Sequence, residues 1–252
     1  MNILLFASGS FSIKILQFLL SKGDLPVALI LDRGDRDNCN QKLIELSRVP
    51  SINIIYSDEL HKPKTMETLE SLCIDVGFLL WWPHIIGQDL IDITKDGIVN
   101  LHPSFLPHNR GRDPNFWAIF NGTPFGVTLH YINCSIDSGD IIAQTEIPVT
   151  WLDTGSTLYT KALSTLLKLF KENYSKIISG TLRPKKQELK SGSFHNHEDL
   201  ETASYIDLDH EYKARDLLNK IRARTFSPHP SAWFVDDGEK YEVRINITKE
   251  NN

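Results

Sequence analysis

The chain has 252 residues, 41% hydrophobic and 23% charged, enough for one large domain or for one domain with a small extension. A formal net charge of −5 argues against a long nucleic-acid backbone as the main ligand, because holding phosphates favours a basic face. No apolar run approaches the roughly 20 residues needed to cross a bilayer, and the odd, widely spaced cysteines Cys39, Cys73 and Cys134 form no CxxC pair. A protein of the reducing cytoplasm is expected, with no membrane partner, no disulfide framework and no zinc site.

Residues 2–7 form an apolar run of strand length with no positive residue before it, which reads as a strand rather than a secretory signal. Ser8-Gly9-Ser10 follows. Then Phe11, Ile13, Ile15, Leu16, Leu19 and Leu20 recur at helical spacing, and Gly23 is placed to end that helix. Further strands are predicted at 27–31, 51–56, 76–80 and 97–101, with a polar loop at 32–37 and a helix at 64–73. Strands separated by helical patterns predict an α/β fold on a doubly wound, mostly parallel, Rossmann-like sheet. Ligands of such sheets sit beyond the carboxyl ends of the strands. The segments 8–12, 81–86 and 102–114 are therefore the ones to watch.

Residues 126–132 and 141–148 are β-like and joined by Ser135-Ile136-Asp137-Ser138-Gly139-Asp140. A long helix is predicted from about 156 to 178, with Leu158, Ala162, Leu163, Leu166, Leu167 and Phe170 as its apolar stripe. The polar stretch 185–201 marks a boundary, so 1–184 reads as the main domain and 185–252 as a linker with a small C-terminal unit. That unit combines a helix, with Ala214, Leu217, Leu218 and Ile221 inward, and a β-hairpin around Asp236-Asp237-Gly238. The exposed edge of the hairpin is the expected contact of a homodimer.

The run Asn100-Leu101-His102-Pro103-Ser104-Phe105-Leu106-Pro107 closes the fifth predicted strand. Residues two apart in a strand project to one side, so Asn100 and His102 share a face. An amide beside an imidazole suits acyl transfer: imidazole titrates nearest neutrality and serves as base or charged donor. The amide donates to an oxyanion without a proton to lose. Arg110-Gly111-Arg112-Asp113-Pro114 and the turn at Asp137-Ser138-Gly139-Asp140 follow, and the latter supplies a carboxylate to orient the imidazole. His195-Asn196-His197-Glu198 lies in a polar stretch with no third ligand in view, so no metal is expected there.

Taken together, Asn-Leu-His-Pro-Ser-Phe-Leu-Pro, Arg110-Gly111 with Pro114, Gly126-Val127-Thr128 and Asp137-Ser138-Gly139-Asp140 resemble the N10-formyltetrahydrofolate-dependent formyltransferases. The resemblance is tight from Asn100 to Ile147 and looser from Met1 to about residue 180. It implies Asn100, His102 and Asp137 as the catalytic trio and 1–184 as the catalytic domain. It also implies N10-formyltetrahydrofolate as formyl donor, with no metal. The segment from Leu79 to Ile86 is similar to the part of the family that lines the pterin site; Trp82, Pro83, Ile85, Gly139 and Asp140 are the residues assigned to it. Trp82 is preferred to Trp81, and His84 reads as a structural hydrogen-bonder. Which group takes the amine proton is left open.

The later run from Asp216 to Phe234 is similar to the tail of the nucleotide-sugar N-formyltransferases. The acceptor so implied is an amine on a nucleotide-linked amino-dideoxysugar, dTDP-4-amino-4,6-dideoxyglucose first, for O-antigen (lipopolysaccharide) or other surface-polysaccharide synthesis. Arg110 and Arg112 would hold the diphosphate without making the whole chain basic. Ser8 and Ser10 would meet sugar or phosphate oxygens, and Trp233 would stack on the base. Initiator methionyl-tRNA and a UDP-linked aminopentose remain alternative acceptors, as does a non-catalytic folate- or nucleotide-binding role. The single Gly9 is far from GxGxxG, which disfavours a dehydrogenase.

Overall fold

The computed structural model describes residues 1–250. In chain order the elements are β1 (Ile3–Ala7), α1 (Gly9–Ser21), β2 (Pro26–Leu31), α2 (Asn40–Ser47), β3 (Ile54–Tyr56), α3 (Pro63–Ser71), β4 (Val76–Leu80), α4 (Gln88–Asp92) and β5 (Ile98–His102). They continue with β6 (Arg110–Gly111), α5 (Pro114–Asn121), β7 (Gly126–Tyr131), β8 (Ile141–Glu146), α6 (Gly155–Ile178), β9 (Phe194–His195), α7 (His197–Ser204), α8 (Ala214–Arg224), β10 (Ala232–Asp236) and β11 (Glu239–Val243). The chain forms two compact units interleaved along the sequence. One contains Met1–His102, Thr128–Ala143 and Leu166–Gln187; the other contains Pro103–Val127, Gln144–Thr165 and the described residues from Glu188 on.

The first unit carries the main sheet, in the order β3-β2-β1-β4-β5-β7-β8. Strands β1 to β5 run parallel, and β7 returns antiparallel beside β5. All five residues of β1 are buried between β2 and β4, which is why its sequence is an unbroken apolar run rather than an alternating one. The chain crosses from one side of β1 to the other after β3, so the order reverses between β1 and β4. That reversal opens the crevice in which sheets of this kind hold ligands. The C-terminal half of α6 seals the sheet: Phe170 meets Phe78 edge-on at 5.1 Å, and Tyr174 meets Phe18 at 5.4 Å. Each such pair adds about 0.5–1.5 kcal/mol beyond the area it buries. The Tyr174 hydroxyl donates to Asp24 at 2.7 Å.

The doubly wound, mostly parallel sheet expected from the sequence is the one found, with local differences. Residues 51–53 form a 3-10 turn instead of the start of β3. There the Asn53 side chain donates to the Val27 carbonyl at 3.0 Å, and Ile52 is left exposed. Helices α2 and α4 are additional to the predicted elements, and α7 begins within the polar stretch 185–201 and runs on to Ser204. Asn196 caps α7 in a reciprocal pair with Asp199, which puts that run at a helix start.

In the second unit, α5 packs on α8, and the indole of Trp117 stacks on His195 at 3.9 Å. The hairpin β10–β11 turns through Asp237 and Gly238, both at positive φ, as a two-residue turn of this kind requires. Among the described residues no helix is long and apolar enough to cross a membrane.

Candidate active site

Strand β5 ends on Asn100 and His102, and its antiparallel partner β7 places His130 directly opposite Asn100. The turn after β7 brings Asp137 back over both. One oxygen of its carboxylate, Oδ1, lies 3.2 Å from Asn100 Nδ2, 3.6 Å from His102 Nδ1 and 3.6 Å from His130 Nε2. The three residues singled out in the sequence therefore meet at one atom. Both imidazoles are buried: His102 is 7% exposed and His130 only 1%.

His130 is the member that the sequence did not reveal. Its Nδ1 lies 2.8 Å from the Tyr131 carbonyl, which can only accept, so Nδ1 carries the proton. In the neutral ring Nε2 is then an acceptor, and Asn100 Nδ2 donates to it at 3.2 Å. This fixes the Asn100 amide with its nitrogen toward His130 and Asp137. The signal for His130 is positional: a β7 residue paired against Asn100 must share its face. The pairing register, however, is a property of the folded sheet.

The turn that carries Asp137 is tightly built. Asp137 has φ 47°, in the left-handed region, and a Cβ at Gly139 would overlap the Tyr131 carbonyl oxygen. Asp140 completes the turn by accepting the Tyr131 amide at 3.0 Å.

The segment after β4 has two faces. Trp81 tilts against Phe11 at 5.0 Å, whereas Trp82 meets Phe6 edge-on at 5.6 Å and lies half-buried against the core. The Trp82 indole N–H is buried with no hydrogen-bond partner. Pro83 is half-buried beside it, and Ile85 is 77% exposed. His84 Nε2 sits 2.8 Å from Asp32 at the end of β2. At the end of β1, the Ser8 hydroxyl is buried and unpartnered, while the Ser10 amide donates to Asp37 at 3.1 Å on the surface.

Arg110, Arg112 and Trp233 belong to the second unit. Arg110 lies over the Phe194 ring with its Nε buried and unpartnered. Arg112 has an exposed side chain, and its amide donates to His195 at 2.9 Å. Trp233 is occupied on two sides, by Tyr205 at 4.8 Å and by the Lys240 ammonium at 4.1 Å. Among the described residues no group of three or more His, Cys, Asp or Glu side chains stands where it could hold a metal ion.

The chain is similar to known formyltransferases along most of its length. A family profile described as formyl transferase matches residues 1–172, and one described as the N-formyltransferase dimerization C-terminal domain matches residues 199–249. A dTDP-4-amino-4,6-dideoxyglucose formyltransferase of Mycobacterium bovis is 34% identical over 158 residues, covering 62% of this chain and 67% of that protein. A methionyl-tRNA formyltransferase of Geobacillus thermodenitrificans is 26% identical over 248 residues, covering 96% of this chain and 76% of that one. Among solved structures, a 4-N formyltransferase from Francisella tularensis superposes with a TM-score of 0.80 at 25% identity, over 99% of this chain and 98% of that one. The chain belongs to the formyl transferase family.

Proposed function

We propose that this chain moves the formyl group of N10-formyltetrahydrofolate onto the amine of a nucleotide-linked amino-dideoxysugar, with dTDP-4-amino-4,6-dideoxyglucose the first acceptor to test. The observation that carries the chemistry is the single carboxylate oxygen of Asp137 shared by Asn100 and His102. The acceptor class is supported by the 34% identity to a formyltransferase of that sugar and by the net charge of −5.

In the reaction the amine nitrogen bonds to the formyl carbon, the bond from that carbon to the donor nitrogen breaks, and one proton passes from the first nitrogen to the second. His102 is suited to carry that proton, and Asp137 to steady the imidazolium that forms. Both hydrogens of the Asn100 amide are engaged at rest, at 3.2 Å to His130 and 3.2 Å to Asp137. As charge builds on His102, the carboxylate is drawn toward it and lets go of Asn100. The freed N–H then meets the developing oxyanion, while His130 keeps the amide aimed.

For the donor ring, the orphaned Trp82 N–H is the kind of buried group that the edge of a heteroaromatic ring satisfies. We assign Trp82, Pro83, Ile85, Gly139 and Asp140 to holding it. For the acceptor we assign Ser8, Ser10, Arg110 and Arg112; the unpartnered Ser8 hydroxyl and Arg110 Nε support the first and third. A cytoplasmic homodimer joined through the C-terminal unit, working toward surface polysaccharide, completes the reading.

A second acceptor, charged initiator tRNA, is favoured by the 26% identity that runs through nearly the whole chain. Incubating the purified protein with N10-formyltetrahydrofolate and dTDP-4-amino-4,6-dideoxyglucose separates the two. A product heavier by one CO is expected. No product with this or with other dTDP- and UDP-linked amino sugars, alongside formylation of the tRNA, overturns the sugar assignment.

A further inference from the structure

The carbonyls of the Asp137 turn are tied down from outside it, by one side chain. Gln187 Nε2 donates to the Asp137 carbonyl at 3.0 Å and to the Gly139 carbonyl at 2.6 Å. Both partners can only accept, so nitrogen is the end that faces them, and both amide hydrogens are consumed. The other end, Oε1, is buried without a partner. An unpaired buried oxygen is a feature folds rarely retain, and here it accompanies a nitrogen fixed on two carbonyls.

The backbone delivers Gln187 to this place. Ile141 and Lys185 exchange both of their hydrogen bonds, at 2.7 and 2.8 Å, so the chain leaving α6 pairs with the first residue of β8. Two residues further on, Gln187 reaches the turn that leads into β8. This segment lies between the stretches 1–172 and 199–249 that the family profiles match.

We propose that Gln187 is a positioning residue for formyl transfer: it sets the Asp137 turn, and through it the carboxylate that Asn100 and His102 share. The inference rests on the catalytic reading of Asp137 given above. Left-handed backbone at Asp137 is uncommon even for Asp, and the two carbonyl anchors add to the Ser138 hydroxyl's bonds to Asn133 and Ser135 in holding it.

The test compares Gln187→Met, which keeps length and removes both donors, with Gln187→Lys, which restores a donor at similar reach. In Gln187→Met, amide exchange across 135–140 is expected to accelerate at least about tenfold while β4 and β5 exchange as before. Its kcat is expected to fall about 10- to 100-fold, as for a catalytic group displaced by a fraction of an ångström to one ångström. KM for the amino sugar should change by less than about threefold, and Gln187→Lys should recover most of both losses. Unchanged exchange in the turn overturns the proposal, as does acceleration spread over the whole chain. Faster local exchange with undiminished kcat also overturns it, and Asp137→Asn then shows which statement failed. Full activity in that variant sinks the catalytic reading of Asp137, whereas an inactive one confines the failure to Gln187.

Discussion

At the scale of single residues, the site turns on how the Asn100 amide divides its two hydrogens between His130 and Asp137. Asn100→Ala removes the proposed oxyanion donor, and kcat is expected to fall about 10²- to 10³-fold, with KM little changed, because that bond forms only as charge develops. Steady-state kinetics with the amino sugar checks this; a rise in KM at constant kcat would instead make Asn100 a binding residue. His130→Phe tests the support beneath it. The ring shape is kept, yet the Tyr131 carbonyl and one Asn100 N–H lose their partners in a part-buried place. Leaving such groups unpaired costs about 1–3 kcal/mol each, so denaturant titration should show a loss of that size. The fall in kcat should be smaller than for Asn100→Ala, since the amide remains present but poorly aimed. A fully active and fully stable His130→Phe would remove His130 from the account.

At the scale of elements, the start of α6 is a second place where one carboxylate organises the backbone. Asp153 Oδ2 accepts from the Thr150 amide and hydroxyl, while Oδ1 takes Thr157 and the Lys161 ammonium, the latter at 2.7 Å. Arg222 of α8 donates to the Thr150 and Asp153 carbonyls at 2.7 and 2.9 Å, so the helix start is closed from both sides. Burial opposes the charge on Asp153, but Lys161, Thr150 and Thr157 together outweigh it and hold the carboxyl below the usual range. A depressed folded value contributes stability above the unfolded value of about 4, and that contribution disappears as pH falls through the folded one. The melting temperature should therefore drop steeply below about pH 4 in the wild type, and less steeply in Asp153→Asn, which is less stable at pH 7. Equal slopes would mean that Asp153 is not the group responsible. These ties explain what could be read beforehand. β1, β2 and β4 are legible because burial on both faces demands apolar runs, and the Asn100-x-His102 spacing is legible because strand geometry dictates the shared face. Helix α2 buries Asn40, Leu43 and Ser47, of which only Leu43 is apolar, so its apolar stripe is too thin to announce it. His130 and Gln187 gain their meaning from pairings 30 and 48 to 50 residues away, which no local pattern encodes.

At the scale of the whole molecule, the C-terminal hairpin presents apolar surface that the described chain does not cover. Phe234 and Tyr241 stack across the two strands at 5.4 Å on one face of the hairpin, and Tyr241 remains 47% exposed there. The profile matching this region is that of a dimerization domain. Stable pairing of subunits buries about 800 Å² on each partner, with an aromatic centre and a polar rim, and Phe234 with Tyr241 supplies such a centre. Light scattering should accordingly give the mass of a dimer at micromolar concentration. Tyr241→Glu places a charge at that centre, where an unpaired buried charge opposes association, so it should elute as a monomer. Because Tyr241 is exposed within one chain, the substitution should cost the monomer no more than its stack on Phe234 provides, about 0.5–1.5 kcal/mol. The far-UV spectrum should stay unchanged as well, which separates dissociation from misfolding. A wild type that stays monomeric at every concentration, or a Tyr241→Glu variant that stays dimeric, would place the subunit contact elsewhere.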